Sequence, residues 1–147
     1  MTASATYIIK SASFTKDGGS ATVIDGLEEV TIRQNGQVVA HGTDGLVAIQ
    51  SHFIDNVEAE ISVRSRNGSL FTATALQIGT HGSMAIVMQK RAAGNGATAG
   101  QDKTITAANC TITASDVGIP HADRGTFNLT AMAHDPNGSA ANVLAFS

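Results

Sequence analysis

Large side chains are scarce in this sequence. Tryptophan is absent, tyrosine occurs once, and aromatics make up 4% of the 147 residues. Hydrophobic residues reach 42%, yet 23 of them are alanine. Alanine adds little beside the roughly 1.5–3 kcal/mol of a fully buried Leu, Ile or Phe. A domain this poor in bulky apolar material either folds with modest stability or completes its buried surface against copies of itself. The length suits one domain, 1–147, and no shift in composition near the midpoint divides it. Cysteine occurs once, as Cys110, which excludes an internal disulfide and fits a protein made in a reducing compartment.

Charge is scarce too. Charged residues make up 14%, the net charge is −3 and the sequence pI is near 5.9. Lys90-Arg91 is the one adjacent basic pair. A basic stripe able to neutralise several phosphates is missing, so a grip on nucleic acid is not expected. No run of 18 apolar residues occurs, so no membrane partner is expected. The first six residues lack a basic start and an apolar stretch, so no signal peptide is expected.

The chemistry-bearing residues form no catalytic pattern. His41, His52, His81, His121 and His134 never approach a His-x3-His or HExxH spacing. Gly94-Asn95-Gly96 with Gly100 lacks the Lys-Ser/Thr ending and the strand–helix setting of a phosphate loop. Asp135-Pro136-Asn137-Gly138 lacks the alternating oxygens and closing Glu of a calcium loop, and reads as a β-turn. Cys110 falls in a strand pattern as a packed, inert thiol. Asn67, Asn109, Asn128 and Asn137 head glycosylation sequons that carry little weight without a secretion signal. Glu28 and Glu29 are neighbours on a strand, so opposite faces are expected for them, not a carboxylate pair. No enzyme activity, cofactor or metal is expected.

What is present is β-pattern. Residues 26–39 read as strand–turn–strand, with Val30 and Ile32 alternating with Glu29, Thr31 and Arg33, and Asn35-Gly36 as the positive-φ pair of a tight turn. Asp17-Gly18-Gly19 separates strands at 7–14 and 21–24. The cleanest alternation runs over 57–66: Val57, Ala59, Ile61 and Val63 on one face, Glu58, Glu60, Ser62, Arg64 and Arg66 on the other. Residues 69–78 place Leu70, Phe71, Thr74, Ala75 and Ile78 at three- and four-residue spacing, which predicts a short α-helix stopped by Gly79. Residues 84–88 are apolar on both faces and read as a central strand. Residues 92–100 read as a mobile hairpin loop. Further strands are expected at 104–113, at 125–133 with Phe127, Leu129 and Ala131 on one face, and at 143–146. The segment 42–56 is too apolar for a free loop and could form a strand, a short helix or a flap on a neighbouring copy. Seven or eight strands and one helix make the chain mainly β, a β-sandwich or half-barrel with one short α-helix.

This order of elements resembles the tail tube proteins of bacteriophages and related contractile particles, including the type VI secretion tube. The resemblance runs over about residues 26–147. Its most suggestive stretches are TASDVGIP at 113–120 and GTFNLTAMAHD at 125–135, with the glycine-terminated helix before residues 84–88. It implies a structural subunit whose strands join those of its neighbours into a shared β-barrel ring. It also implies hexameric rings stacked into a hollow tube, through which DNA or an effector passes without specific binding. Implied partners are further copies of the chain and sheath, baseplate and tail-terminator proteins, in a virion tail assembled in the bacterial host cytoplasm.

On that resemblance, Glu58, Glu60, Ser62, Arg64 and Arg66 are expected to line the lumen, with Glu29, Thr31 and Arg33 on the paired strand. Acidic groups there would repel phosphates. An ordinary solvated outer face is the alternative. Subunit or ring contacts are expected at 42–56, through Leu46, Val47, Ile49, Phe53 and Ile54. They are also expected in the N-terminal residues 1–14, through Tyr7 and Ile9, because that β-prone segment lacks an obvious partner within the chain. A loop and an edge strand packed on the domain's own core are the alternative. Rival readings are another β-rich phage component, such as a decoration or tail-terminator protein, and a ligand-binding β-sandwich. One Tyr and no Trp disfavour the ligand-binding reading, and the want of a usable carboxylate or His pair disfavours a hydrolase.

Overall fold

The alternating patterns all become antiparallel strands. In the computed structural model, which describes residues 6–42, 45, 47–48, 51–91, 97–138 and 143–147, these are β1 (Thr6–Lys16), β2 (Ala21–Val23), β3 (Leu27–His41), β4 (Ser51–Ser65), β5 (His81–Arg91), β6 (Ala97–Gly118), β7 (Thr126–Ala133) and β8 (Ala145–Phe146). They form one sheet in the order β2-β1-β5-β6-β7-β4-β3, with β8 added on β6. Laid flat, β2 and β3 would stand six strand spacings apart, about 29 Å. Yet only residues 24–26 separate them in the chain, a reach of about 14 Å. The sheet must therefore curl and bring its two ends together.

The curl happens along β6. Its first part pairs with β5, from Asp102 opposite Gln89 to Thr111 opposite His81, and its second part pairs with β7, from Cys110 opposite Ala133 to Gly118 opposite Thr126. Register shifts mark the change of partner, between Gly82 and Met84 opposite β6 and between Ile112 and Ala114 within it. Bulges of this kind bend a strand and increase its twist. The result is a half-barrel whose inner face holds one cluster, including Phe14, Ile24, Ile61, Met84, Ile112, Phe127 and Leu129. Gly82 sits where β1 comes closest: a Cβ there would collide with the Thr15 carbonyl and stand 2.9 Å from Phe14 Cζ.

A polar corner closes the half-barrel. Gly26 takes φ +64°, and a Cβ on it would press on Ser65 Oγ and Asn67 N, both at 3.3 Å. Its carbonyl accepts from the Arg66 N–H at 2.8 Å. The buried Ser65 hydroxyl donates to the Asp25 carbonyl and accepts from the Asn67 N–H, while Asn67 Nδ2 donates to Asp25 Oδ1 at 2.6 Å.

Four expectations need correction. Residues 69–78 form no α-helix but two 3-10 turns, Gly68–Thr72 and Thr74–Leu76, broken at Ala73, whose ψ is 124°. Side chains take the carbonyls that an α-helix would use: Thr72 Oγ1 donates to Ser69 O, and Gln77 Nε2 to Phe71 O and Ala73 O. Phe71 and Ile78 stay exposed while Leu70 and Leu76 are buried. Second, Asn35-Gly36 is not a turn. β3 runs straight through it, and the register moves from Asn35 opposite Glu58 to Gln37 opposite Asp55, so that Gly36 faces both Asn56 and Val57. The positive φ appears across the ladder, at Asn56 (φ 50°). Third, 97–100 is strand backbone rather than loop, while of the alternatives open for 42–56 the strand holds over 51–56, the start of β4. Residues 92–96 of that expected loop lie outside the described residues. Fourth, the N-terminal strand has a partner within the chain, because β1 pairs with β5 from Thr6 to Lys16.

Candidate functional site

β3, β4, β7 and the second part of β6 make a four-stranded sheet with a dry and a wet side. In an antiparallel pair, residues directly opposite share a face. The inner face carries the buried Ile61, Val63, Leu129, Ala131 and Phe127. On the other face Glu29, Thr31 and Arg33 stand opposite Arg64, Ser62 and Glu60. Those three in turn stand opposite Asn128, Thr130 and Met132 of β7. Asp116 and Ala114 of β6 complete the rows beside Asn128 and Thr130. Seven of the eight polar residues singled out from the sequence thus fall on the strands of one surface, and Arg66 sits just past the end of β4.

The sequence reading missed the β7 and β6 share of this surface, although the alternation that buries Phe127 and Leu129 implies an outward Asn128 and Thr130. It also misplaced Glu28. Register slips between Leu27, opposite Ser65, and Glu29, opposite Arg64, so two residues oppose one and both carboxylates reach the same side. Glu28 Oε2 lies 3.1 Å from Arg64 Nε, and Glu29 Oε2 lies 3.5 Å from Arg64 Nη2. Arg66 Nε donates to Glu28 Oε1, and this bond, followed by the Glu28 charge, raises the Arg66 pKa above its ordinary value. The surface therefore carries its charge as a compact acid–base cluster at one end, with Glu58, Glu60 and Arg33 farther along.

The four-stranded sheet ends in backbone able to pair. β3 has a strand partner on its β4 side alone among the described residues, and β6 beyond Ile112 has one on its β7 side alone. Past Ala59, β4 leaves β7 and continues with β3 as a two-stranded arm of residues 35–41 and 51–58. Val38 and Ile54, directly opposite each other, are each 60% exposed on the arm. Of the expected contact residues, Val47 is fully exposed beyond the arm's end and the Phe53 backbone pairs with Val39, while Leu46 and Ile49 lie outside the described residues. Tyr7 and Ile9 lie half-buried on β1 opposite Lys90 and Met88.

The remaining chemistry is quiet. The Cys110 thiol is buried, lies 3.4 Å from the Gly82 carbonyl, and is pushed up to about 11 by burial and, secondarily, by Asp17. His81 Nδ1 shares a 2.7 Å hydrogen bond with Thr111 Oγ1. Among the described residues no three His, Cys, Asp or Glu side chains are grouped to hold a metal ion, and no helix is long and apolar enough to cross a membrane.

Solved structures share this arrangement of strands. The chain matches a chain of the tail of an empty GTA particle of C6 symmetry, with 14% identity over 93% of this chain and 94% of that one and a TM-score of 0.51. It matches a chain of the six-fold symmetrised baseplate of the anti-feeding prophage (AFP), with 10% identity over 100% and 95% and a TM-score of 0.52. It also matches an Hcp protein, with 10% identity over 95% and 99% and a TM-score of 0.51. No family model and no curated protein matches the sequence. The chain has the tail-tube and Hcp-like fold.

Proposed function

We propose that this chain is a structural subunit that polymerises as stacked hexameric rings into the hollow tail tube of a phage or phage-like particle, a conduit for DNA or an effector. The observation that carries the reading is the four-stranded sheet with a wet outer face and pairable backbone at both edges. Copies placed side by side complete each other's ladders, and a closed ring leaves no edge. The wet face then lines the lumen. Arg64 and Arg66 are held by Glu28 and Glu29, so they are poor grips for passing phosphate, and Glu58, Glu60 and Asp116 repel it. Six-fold symmetry in two of the matching particles supports a ring of six. Sheath, baseplate and tail-terminator proteins are the partners this role implies, in the tail of a virion assembled in the host cytoplasm. No catalytic step belongs to the role. Negative-stain microscopy of the concentrated protein tests it: closed rings or hollow cylinders are expected, and a population of monomers alone would overturn it.

A further inference from the structure

Asparagine followed by glycine occurs four times, at Asn35, Asn67, Asn95 and Asn137. Such a pair carries its own nucleophile: the glycine nitrogen can attack the side-chain amide carbon, and no Cβ on the glycine obstructs the approach. The surrounding backbone decides whether it does so, and the fold treats the three described pairs differently. Asn95 lies outside the described residues.

Two pairs are held. Asn35 sits in the β3 ladder opposite Glu58, and Ile54 lies over Gly36 so closely that a Cβ there would collide with Ile54 Cγ2. Asn67 is gripped at both ends of its amide. Its Oδ1 accepts from Ser69 N at 3.2 Å and from Ser69 Oγ at 2.6 Å, and its Nδ2 donates to Asp25 Oδ1 at 2.6 Å. Its ψ of 89° turns the Gly68 nitrogen to the far side of the Cα–C bond from Cβ, and Gly68 itself packs against Val117 and Gly125. Attack at either place needs the ladder or the corner to open first.

The third pair is not held. Asp135-Pro136-Asn137-Gly138 is a turn just past β7, and its last three residues are exposed. Asp135 Oδ1 accepts from the Asn137 backbone N–H at 3.2 Å, but the Asn137 side chain has no hydrogen-bond partner among the described residues. Gly138 takes φ +76°, and the space a Cβ would fill there is empty. One hydrogen bond, from the Gly138 N–H to the Asp135 carbonyl at 3.0 Å, restrains the attacking nitrogen. A single bond in an exposed turn opens at little cost.

We infer that Asn137 is a self-modification site, where the folded chain converts an amide to a carboxylate with water as the co-reactant. The Gly138 nitrogen forms a bond to Asn137 Cγ, the Cγ–Nδ2 bond breaks, and Nδ2 leaves as ammonia with the proton from Gly138. Water then opens the cyclic imide at either carbonyl, giving Asp or isoaspartate. The product lowers the net charge of −3 by one. Its carboxylate falls beside Asp135, at the rim of a cleft that Ile54, Asp55, Gly138 and Val143 also line. Three carboxylates then share the root of the arm.

The purified full chain, kept in mildly alkaline buffer either folded or unfolded in urea, is followed by peptide mapping with mass spectrometry. In the folded chain Asn137 is expected to give Asp and isoaspartate at least about tenfold faster than Asn35 or Asn67, and unfolding is expected to erase the difference. Gly138→Ala sets a Cβ beside the attacking nitrogen and is expected to slow conversion at Asn137 at least about tenfold, with Asn35 and Asn67 unchanged. A thermal melt near that of the wild type confirms that this exposed substitution leaves the fold intact. An Asn137 that keeps its amide in the folded chain, or an Asn35 or Asn67 that reacts as fast there, would overturn the assignment. So would Asp without isoaspartate at 137, or a Gly138→Ala chain that converts at the wild-type rate, because either result removes the imide route.

Discussion

Arg64 faces Glu28 and Glu29, and Arg66 holds Glu28; each exposed pair contributes little alone, but together they fix where charge sits on the wet face. Reading Glu28 and Glu29 from the sequence failed because strict alternation assumes an unbroken ladder, and the bulge at that point is set by the corner at Asp25, Gly26 and Ser65. Asn67 belongs to that corner, and Asn67→Asp would exchange its donor for a second carboxylate beside Asp25. A loss of about 1–2 kcal/mol at pH 7 is expected, largely recovered below about pH 4, by urea unfolding at both pH values. Cys110 sets a limit at the alkaline end. Its thiol ionises at about 11 in the folded chain against 9.0 as the ordinary value, so the unfolded chain releases the proton first. Stability is full below pH 9 and falls by about 2–3 kcal/mol as pH rises to 11. Cys110→Ala is expected to flatten that fall in denaturant titrations across the same range. An inert, packed Cys110 was legible from its place in an apolar strand pattern.

At the scale of elements, strands buried on one side were legible because their period of two is written directly in the residues, as at 57–66 and 125–133. Features decided by a partner strand were not. Asn35-Gly36 suits a tight turn locally, yet β4 runs alongside it and turns it into a bulge, with Asn56 taking the positive φ. The spacing of Leu70, Phe71, Thr74, Ala75 and Ile78 suits an α-helix, but Thr72 and Gln77 capture its carbonyls and only Leu70 and Leu76 meet the core. The approach of β1 to β5 at Gly82 carries no sequence signal beyond the glycine itself. Gly82→Ala drives a Cβ into the Thr15 carbonyl, and a loss of about 3 kcal/mol is expected in thermal or denaturant unfolding. The arm behaves oppositely. Apart from the half-buried Val57, the described side chains of the two strands are exposed and add little to a monomer, so joining Asn35 to Glu58 by a short glycine turn is expected to leave the melting temperature within a few degrees. The same excision is expected to abolish ring formation in sedimentation.

The whole molecule is a sheet whose ends are drawn together by residues 24–26, closed around a core made partly of alanine: Ala12, Ala59, Ala107, Ala131 and Ala133 are all buried. Small side chains let the two walls approach but contribute little transfer energy. The pairable edges and the exposed arm are surfaces that a ring of copies would cover, and the wet face is one that it would turn to the lumen. The poverty of bulky residues left two outcomes open, a modestly stable fold or a surface completed by copies, and the element order supplied the tube fold. The participating strands of β6 and β7 became visible only with the register. A reconstruction of the assembled protein by electron cryomicroscopy tests the central claim most directly. The account predicts a ring in which Glu29, Ser62, Arg64, Asn128 and Asp116 face the lumen and β3 of each copy lies beside the end of β6 of its neighbour. A ring with that face on its outer wall, or particles that remain monomeric at high concentration, would contradict it.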